Sequence, residues 1–212
     1  MVATLALCTS PQALRVFDHA PERPQPGTRY IFYLHGRIVE DQGPVAVSPE
    51  FGPYEYAEIV QQLADSGFAI ISEARGPDTD PELYADSVAA QVHHLLAEGI
   101  PPRDITVMGA SKGSVIAMLV SSRLAAPVRY VLLANCNDYI FRRFSLQLHG
   151  DVLSVYEASD PLGQSCRPLF ERSPDLGQRR EVRLETGLGH GFIFRPLEVW
   201  VRPALAWARD DT

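Results

Sequence analysis

Short apolar runs alternate along the chain with segments whose apolar residues recur at helical spacing, and this alternation limits the fold more than any other feature. The apolar runs, which predict buried strands, cover residues 30–34, 68–71, 104–108, 130–134, 152–156 and 182–184. Strands that alternate with helices form βαβ units and a parallel sheet covered on both faces. We therefore predict an α/β fold, a three-layer sandwich with a mostly parallel sheet, in which functional residues follow the carboxyl ends of strands.

Helix signals fill the spaces between these runs. Asp80 followed by Pro81 is typical of an N-cap and a first helical position, and Gly67 and Gly99 are typical of helix ends. Apolar side chains at helical spacing occur at Tyr56, Ile59, Val60 and Leu63, at Val88, Val92, Leu95 and Leu96, and within residues 115–124 and 197–207. Residues 36–53 carry glycine, proline and acidic residues and are expected to form a long loop.

Composition excludes several classes of protein. The 212 residues, 46% of them hydrophobic, suffice for one core, so we expect a single domain over residues 1–212. A net charge of −7 disfavours a nucleic-acid partner, because phosphate binding needs a basic face. No apolar run approaches the length of a membrane span. Cys8, Cys136 and Cys166 include no C-x-x-C pair and do not suit a zinc site.

The N-terminal region carries weaker signals. Residues 3–16 are expected to hold one or two edge strands, and the proline-rich residues 18–28 indicate a connector. The first ten residues lack the basic start and the long apolar core of a signal peptide. Two alternatives stay open: a cytoplasmic protein, or a chain from which a signal was already removed.

One short motif stands between the third predicted strand and the helix that follows it. Residues 109–114 are GASKGS. A P-loop needs G-x-x-x-x-G-K-[ST] and a dinucleotide loop needs G-x-G-x-x-G, and the motif fails both on residue type. It does match G-x-S-x-G, in the strand–turn–helix context of a nucleophile elbow. Such a turn is so tight that a side chain at Gly109 or Gly113 would collide with backbone, while the Ser111 oxygen projects above the sheet.

A serine nucleophile needs a base. Four of the six histidines lie in the connector, within a predicted helix or just before a strand: His19, His93, His94 and His149. Only His35 and His190 directly follow strands. His190 lies in a glycine-rich loop after the last strand, from which an imidazole can reach the serine, so we predict His190 as the base.

The base in turn needs an orienting carboxylate. Asp160 falls in a turn just past the strand at 152–156 and is the favoured candidate. Two alternatives stay open: Glu157, which is expected to lie within that strand, and Asp138, which follows the preceding strand. The predicted chain order is serine, aspartate, histidine.

The segment from Leu34 to Arg37 completes the predicted site. We interpret His35 as a structural residue whose ring braces the loop at Gly36, while the backbone N–H of Arg37 points at a developing oxyanion. The second donor would be the backbone N–H of Lys112, which follows the nucleophile. These two N–H groups would form an oxyanion hole.

The chain resembles the α/β-hydrolase superfamily in four features. These are the His35-Gly36 strand end, the G-x-S-x-G elbow, the serine–aspartate–histidine order and the closing helix. The resemblance covers roughly residues 29–209. It implies about eight mostly parallel strands or slightly fewer, and a Ser-His-Asp mechanism. Residues 136–150 leave room for a short helix at most, so we expect no cap domain. The H-G-G-G lipase signature is absent, since Arg37 stands where its second glycine would be.

Two cationic residues flank the predicted oxyanion hole. Lysine in the first turn of a helix opposes the helix dipole, so we hypothesise that Arg37 and Lys112 bind an anionic group of the substrate. The alternative is that both side chains extend into solvent or pair with Glu40, Asp41 or Glu73.

Two cysteines are expected at the same edge of the sheet. Cys136 follows the strand at 130–134 and Cys166 follows the Asp160 turn, so a disulfide is geometrically feasible. It would pin the loop that carries Asp160 and indicate an oxidising compartment. Two free thiols remain the alternative.

The resulting prediction is a small serine hydrolase that cleaves a carboxylic ester or a related acyl bond of a small-molecule substrate, without a metal or organic cofactor. Thioesterases, acyltransferases, lactonases and peptidases use the same residues, so the substrate stays open. One rival is a non-catalytic binding protein on the same fold. A second is a thiol enzyme that uses Cys136, which lacks an obvious adjacent base.

Overall fold

The computed structural model describes residues 16–134 and 136–210, and its central feature is a seven-stranded sheet in which every pairing is parallel. In chain order its strands are β1 (Val16–Phe17), β2 (Tyr30–Leu34), β5 (Ala69–Ile71), β6 (Ile105–Ala110), β7 (Arg129–Leu133), β8 (Gly150–Glu157) and β9 (Leu176–Leu184). Their order across the sheet is β1-β5-β2-β6-β7-β8-β9. The predicted parallel α/β sheet is confirmed.

Helices cover both faces of this sheet. They are α1 (Arg37–Gln42), α2 (Tyr56–Asp65), α3 (Pro81–Ala97), α4 (Lys112–Arg123), α5 (Asp138–Arg143), α6 (Arg167–Glu171) and α7 (Glu198–Arg209), with 3-10 helices at Pro102–Asp104 and Gly189–Phe194. The Asp80 side chain accepts hydrogen bonds from the first-turn N–H groups of α3, which confirms the predicted N-cap. None of these helices is long and apolar enough to cross a bilayer.

The core consists of two layers separated by the sheet. Alternate residues of β2 face opposite ways: Tyr30, Phe32 and Leu34 pack with α3 and α4, whereas Ile31 and Tyr33 pack with α2 and α7. All five side chains of this strand are buried, as expected of a strand covered on both sides. The three-layer prediction is therefore confirmed.

The topology places a crevice at the carboxyl end of β2. From β2 the chain runs first to β5 on one side and then to β6 on the other. Such a change of direction leaves room for a ligand beyond the carboxyl ends of the strands. The connection from β7 to β8 contains α5 as its described helix, in agreement with the expected absence of a cap domain.

The predicted long loop at 36–53 is wrong in its first and last parts. Residues Arg37–Gln42 form α1, and a short antiparallel hairpin follows, with strands β3 (Val47–Ser48) and β4 (Gly52–Pro53). Helix α1 has six residues and buries Val39 and Glu40. A helix this short completes fewer than two turns, so its apolar residues cannot establish a periodicity.

Two further elements differ from the predicted bounds. Helix α4 begins at Lys112, three residues before the predicted start, because its first turn contains a lysine and Gly113 in place of large apolar residues. Strand β9 covers nine residues, although only 182–184 were predicted, because most of its side chains are exposed. Of the expected N-terminal strands, Val16 begins β1 at the sheet edge, and residues 3–15 lie outside the described range.

Two glycines allow β6 to turn directly into α4. A Cβ at Gly109 would collide with the backbone of Gly113, and a Cβ at Gly113 would collide with the carbonyl groups of Leu34 and His35. The predicted steric reason for the two glycines is confirmed. Helix α4 can thus begin directly against the end of β2.

Replacing Gly113 with alanine is therefore expected to destabilise the protein. The added methyl group meets backbone, which cannot move without shifting β2, so the free energy of unfolding should fall by about 2 kcal/mol or more. Chemical denaturation of Gly113→Ala measures this loss. Gly76→Ala is the matched control, because a Cβ at Gly76 meets nothing within 4 Å. Equal stabilities of the two variants would contradict the steric argument.

Candidate active site

Ser111 occupies a strained turn between β6 and α4. Its φ of 52° and ψ of −116° lie outside the regions that L-residues ordinarily adopt. Its backbone N–H donates to the Leu133 carbonyl at 2.9 Å. The Ser114 hydroxyl donates to the carbonyl groups of Gly109 and Leu133 and ties the turn to two strands. The Ser111 side chain makes no capping hydrogen bond to α4.

The structure brings together the three residues that the sequence singled out. The Nε2 atom of His190 lies 2.9 Å from Ser111 Oγ, and Nδ1 lies 2.7 Å from an oxygen of Asp160. A carboxylate accepts, so Nδ1 carries the proton and Nε2 is free to accept the serine proton. The Asp160 side chain is fully buried and that of His190 is 11% exposed. This arrangement can transfer a proton from serine to imidazole.

Local contacts fix the Asp160 carboxylate. Its second oxygen accepts the backbone N–H of Leu162 at 2.9 Å. A Cβ at Gly163 would lie 2.7 Å from the oxygen that faces His190 and would also crowd Ala134. Glycine at position 163 therefore leaves the space that the carboxylate occupies.

Glu157, one of the two alternative carboxylates, has a different place. It ends β8 and accepts hydrogen bonds from the hydroxyl groups and backbone N–H groups of Ser159 and Thr186, and from the N–H of Gly187. Burial by itself raises the pKa of Glu157, but these hydrogen bonds outweigh it and lower that pKa from its ordinary value. Glu157 thus anchors the loop that leads to His190. Asp138, the other alternative, lies in α5 and pairs with Arg142 at 3.8 Å.

His35 connects two loops at the carboxyl ends of β2 and β5. Its Nε2 accepts the backbone N–H of Arg75 at 2.8 Å, so its Nδ1 carries the proton and donates to the Gly36 carbonyl at 2.8 Å. Burial, followed by the positive charge of Arg75, lowers the pKa of His35 to about 3. The ring is therefore neutral at physiological pH, and its contacts are those of a brace.

The two predicted oxyanion donors lie at the starts of two helices. Arg37 is the first residue of α1 and Lys112 the first of α4, and neither helix has a side-chain cap. Among the described residues, no acceptor is bonded to either backbone N–H, as is usual in a first helical turn. A Cβ at Gly36 would lie 3.6 Å from Ser111 Cβ, so the start of α1 is close to the serine.

The side chains of these two residues do not form a free cationic pair. Lys112 Nζ lies 2.5 Å from a Glu40 oxygen and 2.6 Å from the Thr79 carbonyl. Arg37 is 70% exposed and lies 3.4 Å from Asp41. Both contacts match the alternative of pairing with neighbouring carboxylates. The cationic side chains therefore give no support to an anionic substrate group.

Sequence reasoning missed a buried ion pair beneath this site. Arg75 Nε lies 2.8 Å from Glu40, and both side chains are at most 1% exposed. A second Arg75 nitrogen donates to the His35 carbonyl. The signal available was position alone, since Arg75 follows β5 by four residues at the carboxyl edge of the sheet.

Cys136 and Cys166 form a disulfide. The adjacent Gln164 N–H donates to the Cys136 carbonyl at 2.7 Å, and the Cys166 N–H donates to Glu181 on β9 at 2.7 Å. The bond therefore joins the end of β7 to the loop that follows Asp160. Cys8 lies outside the described residues.

The hairpin lies beside His190. The ring of Phe51 lies 6.5 Å from that of His190, and a Cβ at Gly191 would strike the Phe51 ring. A groove of about 580 Å³ separates the hairpin from the loop at 187–191, with Leu188 among its lining residues. In residues 16–134 and 136–210, no group of three or more His, Cys, Asp or Glu side chains could hold a metal ion.

The His35 arrangement predicts a pH dependence of stability. The unfolded His35 titrates near 6.5 and the folded one near 3, so the unfolded state binds more protons between these values. The free energy of unfolding should therefore fall as the pH is lowered below 6.5, by up to about 1.4 kcal/mol per pH unit from this residue. Chemical denaturation of wild type and His35→Asn at pH 7, 6 and 5 should show a shallower slope for the variant. His93→Asn, on the exposed side of α3, is the control, and equal slopes for all three proteins would contradict the prediction.

No family model matches the sequence, and no curated protein matches it by sequence. Solved structures do match the fold. Esterase PE8 superposes with a TM-score of 0.58 and 15% identity, covering 86% of this chain and 92% of its own. A predicted CIB-like hydrolase from Thermoplasma acidophilum superposes with a TM-score of 0.56 and 16% identity, covering 88% of this chain and 89% of its own.

A third structure, a YdeN-like hydrolase from Pectobacterium atrosepticum, gives a TM-score of 0.55 and 14% identity, covering 86% of this chain and 92% of its own. PE8 is described as an esterase and the other two as hydrolase-like proteins, and the match covers 89–92% of each of these chains. Identities of 14–16% establish likeness of fold and leave activity open. The parallel sheet, its strand order and these superpositions together establish that the chain has the α/β-hydrolase fold.

Proposed function

We propose that the protein is a serine hydrolase that cleaves a carboxylic ester or a related acyl bond. The alignment of Ser111, His190 and Asp160 carries the proposal, with contacts of 2.9 Å and 2.7 Å. The three side chains come from separate segments: Ser111 precedes α4, Asp160 follows β8, and His190 lies in the 3-10 helix after β9, 79 residues from the serine. A chain of serine, imidazole and buried carboxylate is the arrangement that activates a serine hydroxyl. The resemblance of the fold to esterases agrees with this chemistry.

In the first half of the reaction, Ser111 Oγ bonds to the acyl carbon while its proton passes to His190 Nε2. The carbonyl oxygen becomes an oxyanion, which accepts hydrogen bonds from the backbone N–H groups of Arg37 and Lys112. Asp160 holds the Nδ1–H tautomer of His190 and stabilises the imidazolium. Collapse of the intermediate breaks the bond to the leaving group, which takes the proton from Nε2.

In the second half, water attacks the acyl-enzyme and gives its proton to His190. Collapse of the second intermediate releases the acid, and Ser111 recovers its proton from Nε2. The ester is therefore replaced by an acid and an alcohol, with water as the co-reactant. No step draws on a metal or an organic cofactor.

The surroundings favour a small acyl substrate reached from solvent. In the described residues, the connection from β7 to β8 contains one helix, the six-residue α5, and so offers little chain to cover the site. The groove beside His190 is lined by the apolar side chains of Phe51, Leu188 and Leu197 together with the charged side chains of Glu50 and Arg195. Thioesters, lactones and amides undergo the same steps, and we propose the ester because an esterase, PE8, shares this fold.

Labelling with a fluorophosphonate tests the proposal. The probe reacts with an activated serine, so wild type should be labelled, while Ser111→Ala and His190→Ala should be labelled about a thousandfold more slowly or not at all. Ser66→Ala is the matched control, because Ser66 is at the far end of α2 and its hydroxyl, the group that the substitution removes, donates to the Gln62 carbonyl of that helix. Gel fluorescence against time gives the rates.

Two outcomes would count against the proposal. Labelling that survives Ser111→Ala would mean that another serine is the nucleophile. A folded wild type that neither reacts nor hydrolyses p-nitrophenyl acetate would favour the rival, a binding protein on the same fold.

A further inference from the structure

The proposed oxyanion hole is shared by two helices that the chain itself does not hold together. Arg37 begins α1 after β2, and Lys112 begins α4 after β6, so the two donors are separated by 75 residues of sequence. Helix α1 has only six residues and no side-chain cap, and so short a helix is only marginally stable by itself. The pairing of β2 with β6 places the starts of the two helices side by side, and a further contact is needed to hold the rest of α1 against α4.

Glu40 makes that contact. It lies in α1 and is buried, and one of its oxygens lies 2.5 Å from Lys112 Nζ on α4. The other oxygen lies 2.8 Å from Arg75 Nε, after β5. Arg75 in turn donates to the backbone carbonyl of His35, immediately before Gly36 and α1. One carboxylate thus joins both donor helices to the loop that precedes the first of them.

Stability alone does not explain this arrangement. Two cations and one carboxylate lose most of their hydration here, and buried ion clusters are often no more stable than apolar packing of similar volume. Lys112 also opposes the dipole of α4 at its first turn. Its ammonium group is held by Glu40 and the Thr79 carbonyl, so the side chain is already engaged in internal contacts.

We propose that Glu40 is a positioning residue: by bonding Lys112 and Arg75 together it sets the spacing of the Arg37 and Lys112 N–H groups that receive the oxyanion. This inference rests on the proposed serine hydrolase function. It follows from geometry, because oxyanion donors act only within about 2.7–3.1 Å of the developing charge. A displacement of about 1 Å in such a site can cost a hundredfold in rate.

The test compares Lys112→Met, Glu40→Gln and the double variant in steady-state hydrolysis of p-nitrophenyl acetate. Each single substitution should lower kcat and kcat/KM by about 10- to 100-fold, which does not exceed the rate lost when one oxyanion donor is removed. The KM should change by less than about twofold. The kcat/KM of the double variant should equal that of the less active single variant, because both changes break the same contact between Glu40 and Lys112.

A boronic acid gives a readout that a general structural defect would not reproduce. Boronates add to an active serine and form a tetrahedral anion, so benzeneboronic acid should bind each single variant more weakly by the factor lost in kcat/KM. Lys112→Arg keeps a cation that can bond Glu40 and is expected to recover most of the rate. Arg123→Met is the matched control, since Arg123 pairs with Asp86 at the far end of α4, and its kinetics should equal those of wild type.

The outcomes separate the two proposals. If wild type shows neither turnover nor boronate binding, the serine hydrolase proposal fails. If wild type is active and Lys112→Met behaves like Arg123→Met, only the role of Glu40 fails, and the same holds if Glu40→Gln raises kcat. Should Glu40→Gln fail to fold, Lys112→Met still decides, because it leaves the pair between Glu40 and Arg75 intact.

Discussion

The close approach of the start of α4 to the end of β2 determines the geometry around Ser111. The start of α4 lies so close to the end of β2 that position 113 has no room for a Cβ beside the carbonyl groups of Leu34 and His35. This contact forces the turn that strains Ser111. It also places the start of α1, which follows β2 directly, beside the serine. Ser111 and two helix N-termini therefore meet because two strands end side by side.

Much of this could be predicted from sequence, for reasons that particular residues show. Strands such as β2 are buried on both faces, and their apolar runs mark them. Ser111, His190 and Asp160 could be found because parallel strands bring the residues after their carboxyl ends to one edge, and the structure places these three in contact. The disulfide followed from the same rule, although free thiols were an equal alternative.

Other features leave no recognisable pattern in the amino-acid sequence. Helix α1 is too short to show a period, and the exposed half of β9 lacks the apolar residues that mark a buried strand. The pairing of Lys112 with Glu40 was one of the alternatives that the sequence left open, but the burial of Glu40 against Arg75 was not expected, because charged residues in a sequence give no sign of which will be buried. Interactions of this kind become visible only once the sheet order is known.

The two carboxylates at the end of β8, Glu157 as its last residue and Asp160 just after it, show how environment separates similar groups. Asp160 is buried against one imidazole, whereas Glu157 is surrounded by hydroxyl and backbone N–H donors of the loop at 186–187. Each lies within three residues of the other. Their partners therefore differ: Asp160 contacts His190, and Glu157 contacts the loop that leads to His190, a difference that residue type alone could not reveal.

The bond between Cys136 and Cys166 closes a covalent ring of the intervening chain, which contains α5, β8 and Asp160. The connection between α5 and β8 passes through exposed positions, among them Ser145 and Gln147. A protease that cut there would leave two fragments still joined through sulfur, with Asp160 tethered near its histidine. Fragments from a cut outside the ring would be held together by non-covalent contacts alone. A broken peptide bond between Cys136 and Cys166 should therefore separate the two fragments less readily than a break elsewhere.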